Sequence, residues 1–383
     1  MESCVGDNIM IVKDNCTGCS ACKSACPTKA ISMKLNERGF YEPAVCEYGC
    51  IHCNKCLKVC PVYSSFNDHC YKAYYGWNTE KDVLFRSSSG GAFYSIASYV
   101  IERGGVVYGA VYSQDYKEVL FKNTDEVPIY SLQKSKYVVS NPDGVYERLE
   151  PDLRTGRIVL FTGTPCQCAG VSNYFRNKYD NLITCDFICG GMPSLTFYQE
   201  HISMLEHKYK SKVTSVDFRP KKNGWGRYHL KITFENGKEY FKFYFQDSYY
   251  LAFLDHASIR ESCDKCTFSS NHYSDITIGD FWGYRAARVK KRKSGISLFI
   301  CNTSLGAEVF KDIRNFVYHS ISMNYVKYAL SEKRQTDDQK FKKDCFFSIA
   351  LQHGYEYACS EFYEIGMFAH IKNKVLERIP LLS

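Results

Sequence analysis

Cysteine is the residue whose spacing in this chain carries the most chemistry. The sequence reads Cys16-x-x-Cys19-x-x-Cys22-x-x-x-Cys26-Pro27, and then again Cys50-x-x-Cys53-x-x-Cys56-x-x-x-Cys60-Pro61. Thiolates at this spacing hold [4Fe–4S] clusters, and in such duplicated runs the fourth cysteine ligates the cluster of the other run. The pattern assigns Cys16, Cys19, Cys22 and Cys60 to one cluster, and Cys50, Cys53, Cys56 and Cys26 to a second. Structural zinc wants four closed ligands in Cys-x-x-Cys pairs, not this crossed arrangement. The chemistry is one-electron transfer. Cys46, Cys50 and Cys53 also show the spacing of radical-SAM enzymes, but the completed run makes that a coincidence and leaves Cys46 a spare thiol near the cluster.

A second cysteine set is dispersed. Cys166, Cys189, Cys263 and Cys266 each lie beside a glycine turn, a strand end or a Cys-x-x-Cys pair. Four thiolates converging from loops hold either a third [4Fe–4S] centre or zinc. Cys168 and Cys185 compete as ligands. Cys185 falls inside an apolar strand, where a small core residue is the plainer reading. Cys168 points away from Cys166 if a helix starts at Pro165. Cys4, Cys70, Cys301, Cys345 and Cys359 are isolated and read as ordinary thiols.

The elements that must position these thiols follow from periodicity. Ile31, Met33 and Leu35 alternate as a short strand, and residues 39–43 follow as a turn and edge. Residues 62–71 read as a linker. The body opens with an aromatic strand over 71–77 and the stretch Arg86-Ser87-Ser88-Ser89-Gly90-Gly91. Behind it Phe93, Ile96, Ala97, Val100 and Ile101 share one helix face, and 106–112 is a strand. Small hydroxyl residues and glycines entering a helix make a phosphate cradle from free N–H groups; a serine N-cap with a tight turn is the alternative. Lys134, Ser135, Lys136 and Tyr137 precede a polar turn and a helix ending near 154. The strand 157–162 opens onto Gly163-Thr164-Pro165-Cys166-Gln167-Cys168, a helix to 175, and a strand 182–188 ending at Cys189-Gly190-Gly191. That is an α/β unit, whose ligands sit at the carboxyl ends of the strands.

Segments 213–218, 228–234 and 239–245 alternate strongly, with Asn236-Gly237 as a hairpin turn. The stretch 275–283 reads as a strand into a tight turn, and 305–383 as a lysine-rich, mostly helical tail. The expected fold is α+β / α/β in three parts: a bacterial-ferredoxin-like domain over 1–69, an α/β catalytic body with an inserted antiparallel hairpin region over 70–300, and a helical C-terminal extension over 301–383.

The chain has 383 residues, enough for two or three domains, and 45% hydrophobic content supports a sizeable core. No apolar run reaches the ~18 residues needed to span a bilayer, and the start lacks the regions of a signal peptide. The expectation is a cytoplasmic protein without a transmembrane segment, its twenty cysteines kept reduced for iron. The formal charge of +8 invites a nucleic-acid reading. An oxidised [4Fe–4S] centre with its thiolates carries about −2, so several such centres would offset much of the excess and argue against nucleic acid. Arg285, Arg288, Lys290, Lys291, Arg292 and Lys293 cluster where no acidic residue stands. They suit an acidic ferredoxin, an anionic substrate or simply a solvated face.

The body resembles the coenzyme F-420 hydrogenase/dehydrogenase beta-subunit family. The matching pieces are 86–91, Ser135-Lys136-Tyr137, Gly163-Thr164-Pro165-Cys166-Gln167, Cys189-Gly190-Gly191, Gly224-Trp225-Gly226, Cys263-x-x-Cys266 and Asp275-Ile276-x-Ile278-Gly279-Asp280-Phe281-Trp282-Gly283. They cover about 70 to 300. The resemblance implies an iron–sulfur flavoprotein oxidoreductase with FAD and a [4Fe–4S] cluster in the body. Such a protein passes electrons between clusters and a two-electron carrier of the deazaflavin kind, or another substrate. Carried over, Cys166, Cys189, Cys263 and Cys266 become third-cluster ligands, and Ser87, Ser88, Ser89, Gly90, Gly91 and Lys136 become flavin contacts. Members often have histidine after the cysteine matching Cys189. Here Gly190 stands there, which removes an expected proton donor. No other catalytic residue is assigned. The partner is a ferredoxin-like donor or acceptor, or a small molecule. The alternative is a non-catalytic iron–sulfur subunit of a larger redox complex.

Overall fold

The computed structural model describes residues 8–63, 72–175, 178–327, 329–330 and 333–363. The linker expected over 62–71 lies mostly outside the described residues, as do Cys4 and Cys70.

The N-terminal module shows its duplication in the backbone. Two five-residue helices, Ala21–Ala25 and Lys55–Val59, carry Cys22 and Cys56. Each is preceded by a residue in the left-handed region, Ser20 at φ 65° and Asn54 at φ 58°, and each is closed by the fourth cysteine of its run in extended conformation. Strands Ile31–Leu35 (β1) and Tyr41–Val45 (β2) pair antiparallel, with Met33 opposite Pro43. A proline is tolerated there because a two-stranded ribbon has only edges.

Among the described residues the strands of the body form one sheet of nine and two smaller sheets. In chain order these begin with Lys72–Asn78 (β3), Val106–Tyr112 (β4), Val119–Asn123 (β5), Ser140–Asn141 (β6), Val159–Thr162 (β7) and Leu182–Phe187 (β8). A separate antiparallel sheet follows, from Val213–Asp217 (β9), His229–Phe234 (β10) and Glu239–Phe243 (β11). Then come Lys265–Cys266 (β12), Ile276–Asp280 (β13), Ser297–Cys301 (β14), Phe316–Ile321 (β15) and Lys333–Arg334 (β16). The large sheet has the order β15-β3-β14-β13-β8-β7-β4-β5-β6. Its centre, β13-β8-β7-β4, is parallel; β3, β14 and β15 pair with their neighbours antiparallel, and β5 pairs antiparallel with β4 and parallel with β6. Val159, Leu160 and Phe161 are all buried, as central parallel strands covered on both faces require. Helices Ala92–Ile101 and Ser304–Asp312 cover one face, and Val145–Arg154 and Pro165–Phe175 cover the other.

Four details differ from the sequence expectation. The strand expected to reach 245 ends at Phe243 and turns into a 3-10 segment at Tyr244–Gln246. A short helix, Lys81–Arg86, was not anticipated. The C-terminal part is helical over Asp337–His353 and Tyr355–Phe362, but β15 precedes these helices and pairs with β3 at the edge of the large sheet. Only Phe316 of that strand is buried, so its alternation is faint in a lysine-rich stretch. β14 also straddles the boundary drawn at residue 300. Among the described residues no helix is long and apolar enough to cross a membrane.

The N-terminal module is docked onto the body. Gly39 sits against the start of the helix Leu195–Tyr209, its carbonyl accepting the Leu195 N–H at 3.1 Å. A Cβ at Gly39 would collide with the Ser194 and Thr196 hydroxyls. Arg38 pairs with Glu261 and with Asp344 at 3.2 Å.

Three cysteine groups and the cavity beside them

The thiols of the two runs act on one another across the runs. Burial pushes the Cys19 thiol up to about 12, with Cys60 and Cys16 adding to the rise. Cys22 is raised by burial and then by Cys19, Cys16 and Cys60. Cys60 thus stands with the first run although it closes the second. Cys26 lines a small cavity with Cys50, Cys53 and Cys56, so it has crossed the other way. Backbone N–H groups of Gly18 and Ala30 point at the Cys16 and Cys26 sulfurs, both at 3.3 Å. Such donors favour the thiolate over the thiol, which cluster ligation requires. Cys46 is exposed and lies outside the lining of that cavity.

The dispersed set converges. Cys166 is raised well above its ordinary value by burial first, and among its neighbours by Cys266, Cys189 and Cys263. Burial pushes Cys263 up to about 12, helped by Cys189 and Cys266. Distant parts of the chain supply these thiols. Cys166 opens the helix after β7, whose turn is pinned by Gln167 accepting from the Thr164 N–H at 3.0 Å. Cys189 follows β8, and its sulfur receives the Gly191 N–H at 3.4 Å. Cys168 faces the other way, its sulfur 3.5 Å from the Cys185 carbonyl oxygen, and Cys185 is core. Neither is among the thiols acting most on Cys166 or Cys263. Among the described residues no set of three or more His, Cys, Asp or Glu closes around a single ion.

Arg260 was not anticipated from sequence, and it is buried. Its guanidinium donates to the carbonyls of Cys16 at 3.0 Å and Tyr41 at 2.8 Å, while its Nε is buried without a partner. An unsatisfied cationic donor between two groups of thiols fits anionic sulfur clusters.

A cavity of about 270 Å³ opens at the carboxyl ends of β7, β8 and β13. Ser87, Ser88, Ser89, Gly91 and Lys136 line it, and Cys189 and Gly190 form part of its wall. Gly90 stands just behind: a Cβ there would meet the Gly76 carbonyl at 2.5 Å and the Ser297 N–H at 2.6 Å. Gly91, at φ 88°, starts the helix Ala92–Ile101. Lys221 holds this turn from the back, its ammonium donating to the carbonyls of Leu84, Ser89 and Ser294. Burial lowers Lys221 to about 7. Arg219 lines the cavity and pairs with Asp280 at 3.0 Å. Lys136 donates to the Gln133 carbonyl at 2.8 Å, and desolvation lowers its ammonium to about 7. The candidate flavin contacts of the sequence therefore surround one cavity, beside one thiol of the dispersed set. The basic run lies elsewhere: Arg285, Arg288, Lys290, Lys291 and Lys293 are exposed.

This arrangement defines an iron–sulfur redox protein, with a two-cluster module docked against a cysteine-bearing α/β body. Residues 15–64 match the 4Fe-4S dicluster domain. Residues 156–323 match the family of the C-terminal part of the coenzyme F420 hydrogenase/dehydrogenase beta subunit. A region similar to that family thus follows an iron–sulfur module, and the motifs Gly163–Gln167, Cys189–Gly191 and Asp275–Gly283 fall within it. It is 22% identical over 285 residues to the F polypeptide of the F(420)H(2) dehydrogenase of Methanosarcina mazei, covering 70% of this chain and 76% of the relative. Over 62 residues it is 34% identical to the VorC polypeptide of the ketoisovalerate oxidoreductase of Methanothermobacter marburgensis, 16% of this chain and 78% of that one. A chain of the F420-reducing [NiFe] hydrogenase complex from Methanosarcina barkeri aligns over 73% of this chain and 91% of its own length. Its identity is 16% and its TM-score 0.48, too low to carry weight.

Proposed function

We propose that this protein is an iron–sulfur flavoprotein oxidoreductase. In this reading Cys16, Cys19, Cys22 and Cys60 hold one [4Fe–4S] cluster, and Cys50, Cys53, Cys56 and Cys26 a second. Cys166, Cys189, Cys263 and Cys266 hold a third, and FAD occupies the cavity bounded by the 87–91 turn and Lys136. When bound, the clusters supply single-electron carriers and the flavin couples them to a two-electron exchange with a deazaflavin-like carrier or another small molecule. The residues divide the remaining work. The 87–91 turn offers backbone N–H groups and hydroxyls to phosphate oxygens at a helix start. Lys136 offers a cation whose charge responds to the bound anion. The observation that carries the proposal is the placement of Cys189 in the wall of the cavity that the serine turn lines.

In this reading the exposed Cys53, and the buried Cys19 against Gly170 of the body, give the N-terminal module a direction, the second cluster toward solvent and the first toward the body. The experiment is anaerobic reconstitution followed by iron and flavin analysis. About twelve irons and one FAD per chain are expected, and Cys263→Ala or Cys266→Ala should leave about eight irons with the N-terminal signals intact. Unchanged iron in both variants sinks the third site. Full iron without tightly bound flavin sinks the flavoprotein reading and leaves a non-catalytic electron-transfer subunit of a larger complex.

A further inference from the structure

Resting on the reading of a third cluster, we infer that Arg260 is a positioning and charge-balancing residue shared by the first and third cysteine groups. It raises the electron affinity of both groups relative to the second. The geometry comes from both sides. Its side chain donates to the Cys16 carbonyl at 3.0 Å and the Tyr41 carbonyl at 2.8 Å, both in the N-terminal module. Its own carbonyl accepts the Cys263 N–H at 3.1 Å, and its own N–H donates to the Met192 carbonyl at 2.9 Å. Ser262, two residues on, also donates to the Cys16 carbonyl, at 2.9 Å. One short segment therefore grips a ligand loop of the first group while carrying a ligand of the third.

The N-terminal module is shaped around this guanidinium. Gly18, in the middle of Cys16-x-x-Cys19, has φ +72°, and a Cβ there would lie 2.9 Å from Arg260 Nη2 and 3.0 Å from the Tyr41 carbonyl. Phe40 lies 5.0 Å from the guanidinium on its ring face. Arg260 is buried, and the nearby carboxylates of Glu261 and Asp264 pair with Arg38 and Lys343 respectively. Arginine keeps its charge at every working pH.

The two groups are also close along the helix Pro165–Phe175. Cys166 and Gly170 stand four residues apart on one face, about 6 Å along the axis. A Cβ at Gly170 would lie 2.9 Å from the Cys19 sulfur. A single electron added to either group increases negative charge in a poorly solvated region that both share. A fixed cation between them offsets this in both, and no bond is made or broken.

The test compares Arg260→Gln with Arg260→Lys in the full chain after anaerobic reconstitution, with iron analysis and redox-titrated EPR. The second group, whose cavity Arg260 does not line, is the internal reference. In Arg260→Gln the first and third groups should each lose at least tenfold in electron occupancy relative to the second, about 59 mV for one electron. Arg260→Lys, which keeps the charge, should stay within about threefold of wild type. Unchanged midpoints in fully loaded Arg260→Gln overturn the inference. So does a tenfold shift in fully loaded Arg260→Lys, which would make hydrogen-bond geometry rather than charge the cause. If Arg260→Gln does not load with iron, the lysine variant alone decides. If wild type itself holds only about eight irons, the third-cluster reading fails, and the shift of the first group still tests Arg260.

Discussion

Gly170→Ala tests whether the N-terminal module and the body are one packed unit, and its sign is diagnostic. Gly170 lies inside the helix Pro165–Phe175 and is buried. On intrinsic propensity alone, glycine to alanine inside a helix stabilises by about 1 kcal/mol. The structure opposes that gain. The added Cβ would stand 2.9 Å from the Cys19 sulfur and 2.9 Å from the Tyr146 hydroxyl. Neither neighbour yields readily: Tyr146 is buried and donates to the Cys19 carbonyl at 2.9 Å, and Cys19 is a proposed cluster ligand. Overpacking of this kind costs about 1–3 kcal/mol. The net expectation is a loss of roughly 0–2 kcal/mol, or up to about 4 °C in apparent melting temperature at roughly 2 °C per kcal/mol. The assay is an anaerobic thermal melt of the reconstituted chain at a fixed scan rate, since bound clusters make unfolding more than two-state. The EPR spectrum of the first cluster should broaden or shift with it. A clear rise in melting temperature with an unaltered spectrum would refute the packing of Cys19 against this helix.

Two further outcomes follow from buried charge. Lys136 has its folded value lowered to about 7, so an anion bound beside it should draw a proton onto it. FAD affinity should then be greatest below pH 7 and fall by up to about tenfold per pH unit above it, while Lys136→Met binds more weakly at pH 6 and shows no such slope. Isothermal titration in buffers of different ionisation heat reads the proton uptake, and a flat wild-type profile from pH 6 to 9 rules out this contact. Lys343, on the helix Asp337–His353, pairs with Asp264 in the Cys263–Cys266 loop, and both are buried. Lys343→Met should destabilise by about 3–5 kcal/mol by leaving the carboxylate unpaired. Burial holds Asp264 above the ordinary carboxylate range, so its folded form binds the proton more tightly than the unfolded one. The defect should be largest near pH 8 and shrink toward pH 5; a defect independent of pH speaks against Asp264 as its source.

What was legible in the sequence is what short-range chemistry dictates. Cluster ligation fixes cysteine spacing, and the left-handed residues Ser20 and Asn54 repeat at matching places because the two runs solve the same local problem. The strand-turn-helix run around Cys166 was legible because its apolar strands and glycine turn are contiguous. β15 was not, because an edge strand with one buried residue leaves little periodic signal. The charged side chains that organise the interior were not legible either. Arg260 and Lys221 are satisfied mainly by backbone carbonyls, and any residue type supplies a carbonyl. Arg260 meets Cys16 across 244 residues and Lys221 meets Leu84 across 137. No motif encodes such a partner; only the fold brings it within reach.

These long-range contacts also decide how the two halves relate. A ferredoxin-like run at the start of a long chain suggests a tethered module that delivers electrons by collision. The contacts here describe something more fixed. Cys16 is held by Arg260 and Ser262, Cys19 by Tyr146, and Gly39 by the start of the helix Leu195–Tyr209. Gly18, Gly39 and Gly170 are each places where a side chain would push the halves apart. Two of these glycines belong to the module and one to the body, so the fit is cut from both sides. Electron transfer depends on distance, and a docked module sets that distance once, during folding, rather than at each encounter. In the proposed reading the N-terminal run therefore acts as a fixed part of the body's redox site. In that reading the exchange left to collision would be at the second group of cysteines, where Cys53 and Ile51 face solvent.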